Sequence, residues 1–354
     1  MFLKKLNINF YKKIKRLINK NGFEIPNYKY WRKLWNANSN AVIGEGIFKG
    51  TNLVGYHSFF EKKIIFKGKV YNLLVSSNWN VDKNFRNYSL NLINSYFNKK
   101  ADLFLTTTAN YKVSEIWKSY GAKEVNNSGC KNIYFKIINH KNLINVYLNK
   151  KKSFYINYLK PILTLMLFIY DKLKFVRIER KGIKLKNIKE IDDEIEKFNF
   201  FYEKKNLFPC EKKSKNELKK YLDIIKYNKR EYTYKIYFDK SFIGYAILVK
   251  ENIPFTKYKR MHLAVIRLKN NYFKFIDEIF ESFTEITKKN DCIIIEFRNL
   301  NFKILKYFNK KNYYCRTISN NPYLIKFNSK KSFKFRKYAK SQWETTYLDG
   351  DCLL

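Results

Sequence analysis

One short string occurs twice in this chain, and it restricts the fold more than any other feature. The stretch LVGYHSF, Leu53–Phe59, returns as IGYAILV, Ile243–Val249. Around the first copy, from Gly46 to Val75, turn signals at Gly50 and Gly68 separate apolar and aromatic runs, the pattern of two antiparallel hairpins. Tyr232–Glu251 echoes the first of these. Each half then continues with strand, helix, strand and helix. In the second half these are RMHLAVIRL, a helix over Tyr272–Thr287, DCIIIEFRN and a helix near LNFKILKYFNKKNY, with PYLIKFN as a last strand. Such self-similarity means two copies of one supersecondary plan, and 354 residues suit two domains. The sequence therefore predicts an α/β chain of two tandem domains, each a mixed, mostly antiparallel sheet flanked by helices. The expected boundaries are 1–149, a linker helix over 150–180, and 181–354.

Within the first half, LTTTANYKVSEIWKSYGAKEV, Leu105–Val125, reads as strand, turn, helix and Gly stop. Val113, Ile116, Trp117 and Tyr120 recur at helical spacing, while Lys112, Glu115 and Lys118 face water. Gly121 suits the left-handed position just past a helix. Upstream, Asn72–Phe97 reads as a strand, a polar elbow and a helix with Leu90, Ile93 and Phe97 inward.

These two segments, in this order, resemble the GNAT superfamily of acyl-CoA N-acyltransferases. The likeness lies in Asn110, Val113, Ile116, Trp117 and Gly121 after the fifth strand, and in Arg86 at the elbow. It implies acetyl-CoA or another acyl-CoA as co-substrate, with no metal. The pyrophosphate would lie on backbone N–H groups at a helix N-terminus. The cofactor-binding residues it implies are Val81, Arg86, Asn87, Tyr88, Ser89, Leu90, Asn91, Asn110 and Trp117. Ser89 and Asn91 stand where the family usually has two small residues. Ser89 keeps that geometry and Asn91 departs from it. Trp117 stands where many members place a tyrosine that protonates the departing thiolate, and indole has no such acidity. No comparable Arg follows the strand at His262–Leu268; Lys269, Asn270 and Asn271 lead into the helix, so the second domain is expected to lack a pyrophosphate cradle.

Candidate catalytic groups are His57, whose ordinary pKa suits a base near neutrality, Tyr120 and Tyr56 as proton donors, and Asp349 and Asp351 around Gly350 near the Trp343 string. His57 reads equally as a structural strand residue, and the two acids as an ordinary turn. The layout also resembles tandem GNAT-like proteins associated with surface polysaccharide synthesis, which implies a small-molecule amine or amino-sugar acceptor. The aromatic, basic Tyr28–Trp35 suits either an acceptor surface or helix packing.

Leu3, Leu6, Phe10, Ile14, Leu17 and Ile18 share one helical face, with lysines and Arg16 around the rest. Residues 1–20 are thus expected to form a basic amphipathic helix, which either lies on an anionic membrane or docks on its domain. The run PILTLMLFIY, Pro161–Tyr170, is too short to span a bilayer, which takes ~20 apolar residues, and reads as a linker helix buried between domains. The five cysteines have no metal or disulfide spacing, which suits a cytoplasmic chain, peripheral at most to the inner membrane face. The net charge of +42 invites a nucleic-acid partner. However, the lysines are spread along both halves, no recognition motif appears, and the abundance of Asn, Ile, Tyr and Phe points to codon bias. Three functions stay open: an acyl-CoA-dependent N-acyltransferase, a catalytically silent GNAT-like scaffold, and a basic module for an anionic membrane or nucleic acid.

Overall fold

The computed structural model describes residues 1–25, 27–35, 42–107, 109–125, 132–151, 158–175, 182–205, 209–297, 302–311, 313–317 and 323–328. The chain opens with β1 (Phe2–Leu6), α1 (Tyr11–Lys20) and α2 (Tyr28–Trp35). A meander of β2 (Gly44–Lys49), β3 (Asn52–Phe66) and β4 (Lys69–Val81) follows. Next come α3 (Ser89–Phe97), β5 (Leu103–Thr106), α4 (Tyr111–Ser119), β6 (Lys123–Glu124) and β7 (Asn132–Ile137). Two helices, α5 (His140–Lys151) and α6 (Lys160–Lys174), lead to β8 (Ile183–Ile188), α7 (Asp193–Lys205), β9 (Cys210–Glu211) and α8 (Lys215–Asn228). The plan then repeats with β10 (Arg230–Phe238), β11 (Ser241–Asn252), β12 (Lys259–Leu268), α9 (Ile276–Lys289), β13 (Cys292–Phe297), α10 (Phe302–Lys310), β14 (Tyr314–Thr317) and β15 (Leu324–Phe327).

Two sheets result, each mostly antiparallel and flanked by helices. The first runs β1-β2-β3-β4-β5-β15-β6, with β9 on β3; the second runs β14-β7-β13-β12-β11-β10-β8. Each contains one parallel pair, β4 with β5 and β12 with β13. The predicted fold class is present, but the units are not contiguous halves. Unit 1 comprises Met1–Lys131, Glu203–Tyr227 and Ser319–Leu354, and unit 2 comprises Asn132–Tyr202 and Asn228–Ile318. The halves exchange a strand. β7, from the first half, pairs with β13 and β14, whereas β15, expected to finish the second domain, pairs with β5 and β6. A four- or six-residue strand carries no record of its distant partner. Any unfilled slot between two edges satisfies its backbone groups.

The N-terminal reading also changes. Residues 2–6 form an edge strand paired with β2, because Asn7 stops any earlier helix by accepting the Asn9 N–H at 3.1 Å. The helix starts at Tyr11 and buries Tyr11, Ile14, Leu17 and Ile18 in unit 1. In α2, Tyr30, Trp31 and Trp35 are buried, and Trp35 stacks on Phe60 with centroids 4.1 Å apart. That segment is helix packing. α6, expected to be buried, has no buried side chain.

On one face of the first sheet α3 and α4 pack Ile93, Tyr96, Phe97 and Trp117 on Leu74, Phe104 and Leu324; the other face carries Ile64, Val75, Leu105 and Ile325. In unit 2, α9 and α10 cover a larger core through Ile279, Phe280, Phe283 and Phe308. Among the described residues no helix is long and apolar enough to cross a membrane.

Candidate functional site

The parallel pairing of β4 with β5 ends at Ser76 and Thr106, and β4 continues through Ser77–Val81 with no β5 partner. A bulge causes the separation. Tyr56 pairs with Asn80 and Ser58 with Ser77, so Asn78 and Trp79 oppose His57 alone, and Asn78 takes a φ of 40°. Asn tolerates this left-handed conformation better than most residues, and the extra residue bends and twists the strand. Among the described residues no strand pairs with this edge of β4 beyond Ser76. Two side-chain atoms beside it, Ser77 Oγ and Trp79 Nε1, are buried without a hydrogen bond. Each such group costs about 1–3 kcal/mol when left without a partner.

Beyond β4 the backbone turns through Asp82 into a 3₁₀ segment, Lys83–Tyr88, and then α3. Asp82 Oδ1 accepts the Asn84 N–H at 3.2 Å. Lys20 of α1, 2.5 Å from its other oxygen, holds the Asp82 carboxyl below its usual range. At the start of α3, Tyr88 contributes no capping hydrogen bond and the first turn contains no acid. The Ser89 N–H bonds the Arg86 carbonyl at the join with the 3₁₀ segment, and with no acid in the first turn the positive end of the helix dipole is not offset by a local carboxylate. Arg86, Asn87, Leu90 and Asn91 are exposed, and Tyr88 and Ser89 are half-buried. Leu90 does not point inward as expected; Leu92 and Ile93 do. α3 sits close to the sheet because Gly55 carries no side chain: a Cβ there would lie 3.3 Å from both Ile47 and Leu92.

Beside the elbow lies a groove of ≈ 650 Å³ between α1, the β2–β3 turn and Phe85. Lys13, Arg16, Lys20 and Lys49 line it, against the single acid Asp82. Sequence reasoning missed this cluster because its residues come from separate elements and look like any other part of a lysine-rich chain.

His57 is 1% exposed, bonds Ser76 Oγ at 2.7 Å, and sits among Phe59, Trp79 and Tyr96. Burial pushes its pKa down to about 3, against a smaller rise from the Leu92 backbone. It is a neutral, buried ring, the surroundings of a structural strand residue. Tyr120 donates to Asn94 in mid-α3 and packs on Phe97. Tyr56 is fully buried; burial raises its phenol, slightly offset by Ser58, and its hydroxyl makes no hydrogen bond of normal geometry.

Asn110 caps α4, accepting the Val113 N–H at 3.0 Å, and Gly121 follows the helix with φ +84°. Trp117 is fully buried against Phe97, with centroids 4.9 Å apart, and its Nε1 makes no hydrogen bond. It holds α4 on the sheet. Val81 ends β4, and its carbonyl accepts from Asn21 at 3.2 Å. Asp349, Asp351 and Trp343 lie outside the described residues. Among the described residues there is no group of three or more metal-ligating side chains.

Unit 2 repeats this geometry. β12 continues through Ala264–Leu268 beyond its last pair with β13, Leu263 with Phe297. Lys269 (φ −59°, ψ 137°) stands where Asp82 (φ −54°, ψ 138°) stands in unit 1, and a six-residue 3₁₀ segment, Asn270–Phe275, precedes α9. The chain therefore does not pass straight into the helix, as the sequence suggested.

By sequence, no family model and no curated protein matches the chain. By structure, it is similar to a GCN5-related N-acetyltransferase from Anabaena variabilis, with 8% identity, TM-score 0.58, and 92% of this chain and 72% of that one covered. A conserved protein of Enterococcus faecalis V583, described as a probable N-acyltransferase, matches at 12% identity and TM-score 0.59 over the same shares. A GCN5-related N-acetyltransferase from Kribbella flavida matches at 6% and 0.55, with 92% and 70% covered. The fold is therefore that of the GNAT acyltransferases. At these identities the likeness establishes the fold, and the activity must be argued from the site.

Proposed function

We propose that unit 1 is an acyl-CoA-dependent N-acyltransferase whose acceptor is an amine, with an amino sugar of a surface glycan precursor as the substrate class. The observation that carries this reading is the elbow: an uncapped, acid-free helix N-terminus with Arg86 exposed beside it, at the end of a strand with an unpaired edge. Coenzyme A, when bound, supplies the acyl group as a thioester. The chain's own contribution is to bind and orient. Backbone N–H groups at the start of α3 and the Arg86 guanidinium hold the pyrophosphate. The free β4 edge polarises the carbonyl oxygen, and the site fixes the amine at the carbonyl carbon. As the C–N bond forms and the C–S bond breaks, the amine proton passes to water and coenzyme A leaves as a thiolate that water protonates, His57 being buried and weakly basic. The cationic groove suits an acceptor carried on a phosphorylated or nucleotide-linked sugar.

A second reading, a CoA-binding domain that does not turn over, is favoured by two specific facts. Burial pushes the His57 pKa down to about 3, and the indole N–H of Trp117 has no acidity near neutral pH. Calorimetric titration of CoA and acetyl-CoA into wild type and Arg86→Ala separates the cases. Binding that Arg86→Ala weakens, with acyl transfer to an amino sugar, supports the enzyme. Binding without turnover of any amine supports the second reading, and no binding removes both.

A further inference from the structure

The helix α6 is inverted with respect to its own protein. Its less exposed positions are Lys160, Thr164, Leu167, Asp171 and Lys174, a seam with alternating spacings of four and three residues that is polar at four of five places. Through this seam Asp171 meets His140 of α5 at 3.3 Å, and the Lys174 ammonium lies 4.2 Å from the centre of the Tyr314 ring. The opposite side is apolar and open to solvent. Ile162, Leu165, Met166, Ile169 and Leu173 follow one another at helical spacing, with exposures of 56%, 59%, 63%, 49% and 78%. A helix on the surface of a water-soluble domain normally turns this stripe inward, and a contiguous exposed apolar patch marks an interaction surface.

We propose that α6 lies in the plane of an anionic membrane, with its apolar face in the acyl boundary and Lys160 and Lys172 on the headgroups. Fifteen residues give a helix of about 22 Å, shorter than the ~30 Å hydrocarbon layer, so it rests in the interface and does not cross. Its ends carry Lys160, Lys172 and Lys174, and its one acid, Asp171, faces inward to His140. The groove of ≈ 590 Å³ between α5 and α6 is lined by Lys141 and Lys160 beside Leu165 and Phe168, a cationic pocket over an apolar floor that suits a lipid phosphate. A second copy of the chain is the poorer occupant, because it would set these lysines, and two chains of net charge +42, against each other.

The test is flotation of the full chain with phosphatidylcholine vesicles, with and without added phosphatidylglycerol, for wild type, L165E/I169E and K160E/K172E. Wild type is expected to bind the anionic vesicles. Each double variant should bind roughly tenfold or more weakly, with a melting temperature within a few degrees of wild type, since Leu165, Ile169 and Lys172 are exposed and Lys160 is half-exposed at the helix start. Three results would overturn the proposal: no binding by wild type, L165E/I169E binding as wild type does, or a wild-type dimer in sedimentation that L165E/I169E converts to monomer without vesicle binding.

Discussion

The two elbows, β4 to α3 and β12 to α9, share a backbone and differ in the charges an anion would meet. Each strand runs five residues past its parallel partner, and each enters a six-residue 3₁₀ segment from the same φ and ψ. The first turn of α3 then holds no acid, whereas that of α9 carries Asp277 and Glu278. Two carboxylates on the positive end of a helix repel a phosphate that the backbone would otherwise attract. The strand edges differ as well. In unit 2, Arg267 and Tyr245 are fully buried and both bond Asn199 of α7, at 2.8 and 3.0 Å. The matching pair in unit 1 is Asn80 and Tyr56, and the Tyr56 hydroxyl is left without such a partner. In unit 2 the Arg267 and Tyr245 side chains meet on Asn199, whereas Tyr56 and Asn80 have no such shared partner among the described residues. Conservation of a backbone is therefore not conservation of a site.

The largest test of this contrast is Arg267→Ala, which removes a buried guanidinium bonded to Asn199 and stacked on Tyr202. It should cost about 3 kcal/mol or more in a denaturant titration, against less than ~1 kcal/mol for Asn80→Ala. Near-equal losses would mean that the unit 2 cleft is not internally filled.

His57 makes the next prediction, since unit 2 has Ala246 at its place. Its folded pKa of about 3 lies below the ordinary 6.5. The neutral ring's contribution is therefore complete above pH 6.5 and is lost as the pH falls towards 3. Between pH 7 and pH 5 this amounts to roughly 2 kcal/mol. His57→Ala should flatten that slope whatever its baseline stability.

Importing the unit 2 acids is the third test. Leu90→Asp with Asn91→Glu, both exposed, should weaken CoA binding roughly tenfold by calorimetry while leaving the melting temperature within a few degrees. Unchanged affinity would place the pyrophosphate elsewhere. Arg86→Ala should give the smallest effect, about threefold, because an exposed charge is partly screened by solvent and salt.

Much of the first unit was legible because its signals are local. The Asn110 cap, the Gly121 stop and the Trp117 stripe lie within one helical segment, and each is where the spacing put it. The elbow was legible for the same reason, although Leu90 was misassigned. An irregular 3₁₀ turn ahead of α3 shifts the helical phase, so Leu92 takes the inward position. The surroundings of His57 were not legible, because residue type sets only its ordinary pKa. The drop to about 3 comes from burial, with Phe59 of its own strand joined by Trp79 of β4 and Tyr96 of α3. α6 was misread because apolar character says that a segment avoids water, not which neighbour excludes it.

The sequence by itself determined that two copies of one α/β plan exist, where the helices cap and stop, and which elbow has Arg86, because these depend on contacts within a few residues. Only the tertiary structure decided that β7 and β15 change places, that four cations converge beside the elbow, and that α6 turns its apolar face outward. Those outcomes depend on which edges and faces remain unsatisfied once everything else has packed, and no local stretch of chain encodes that.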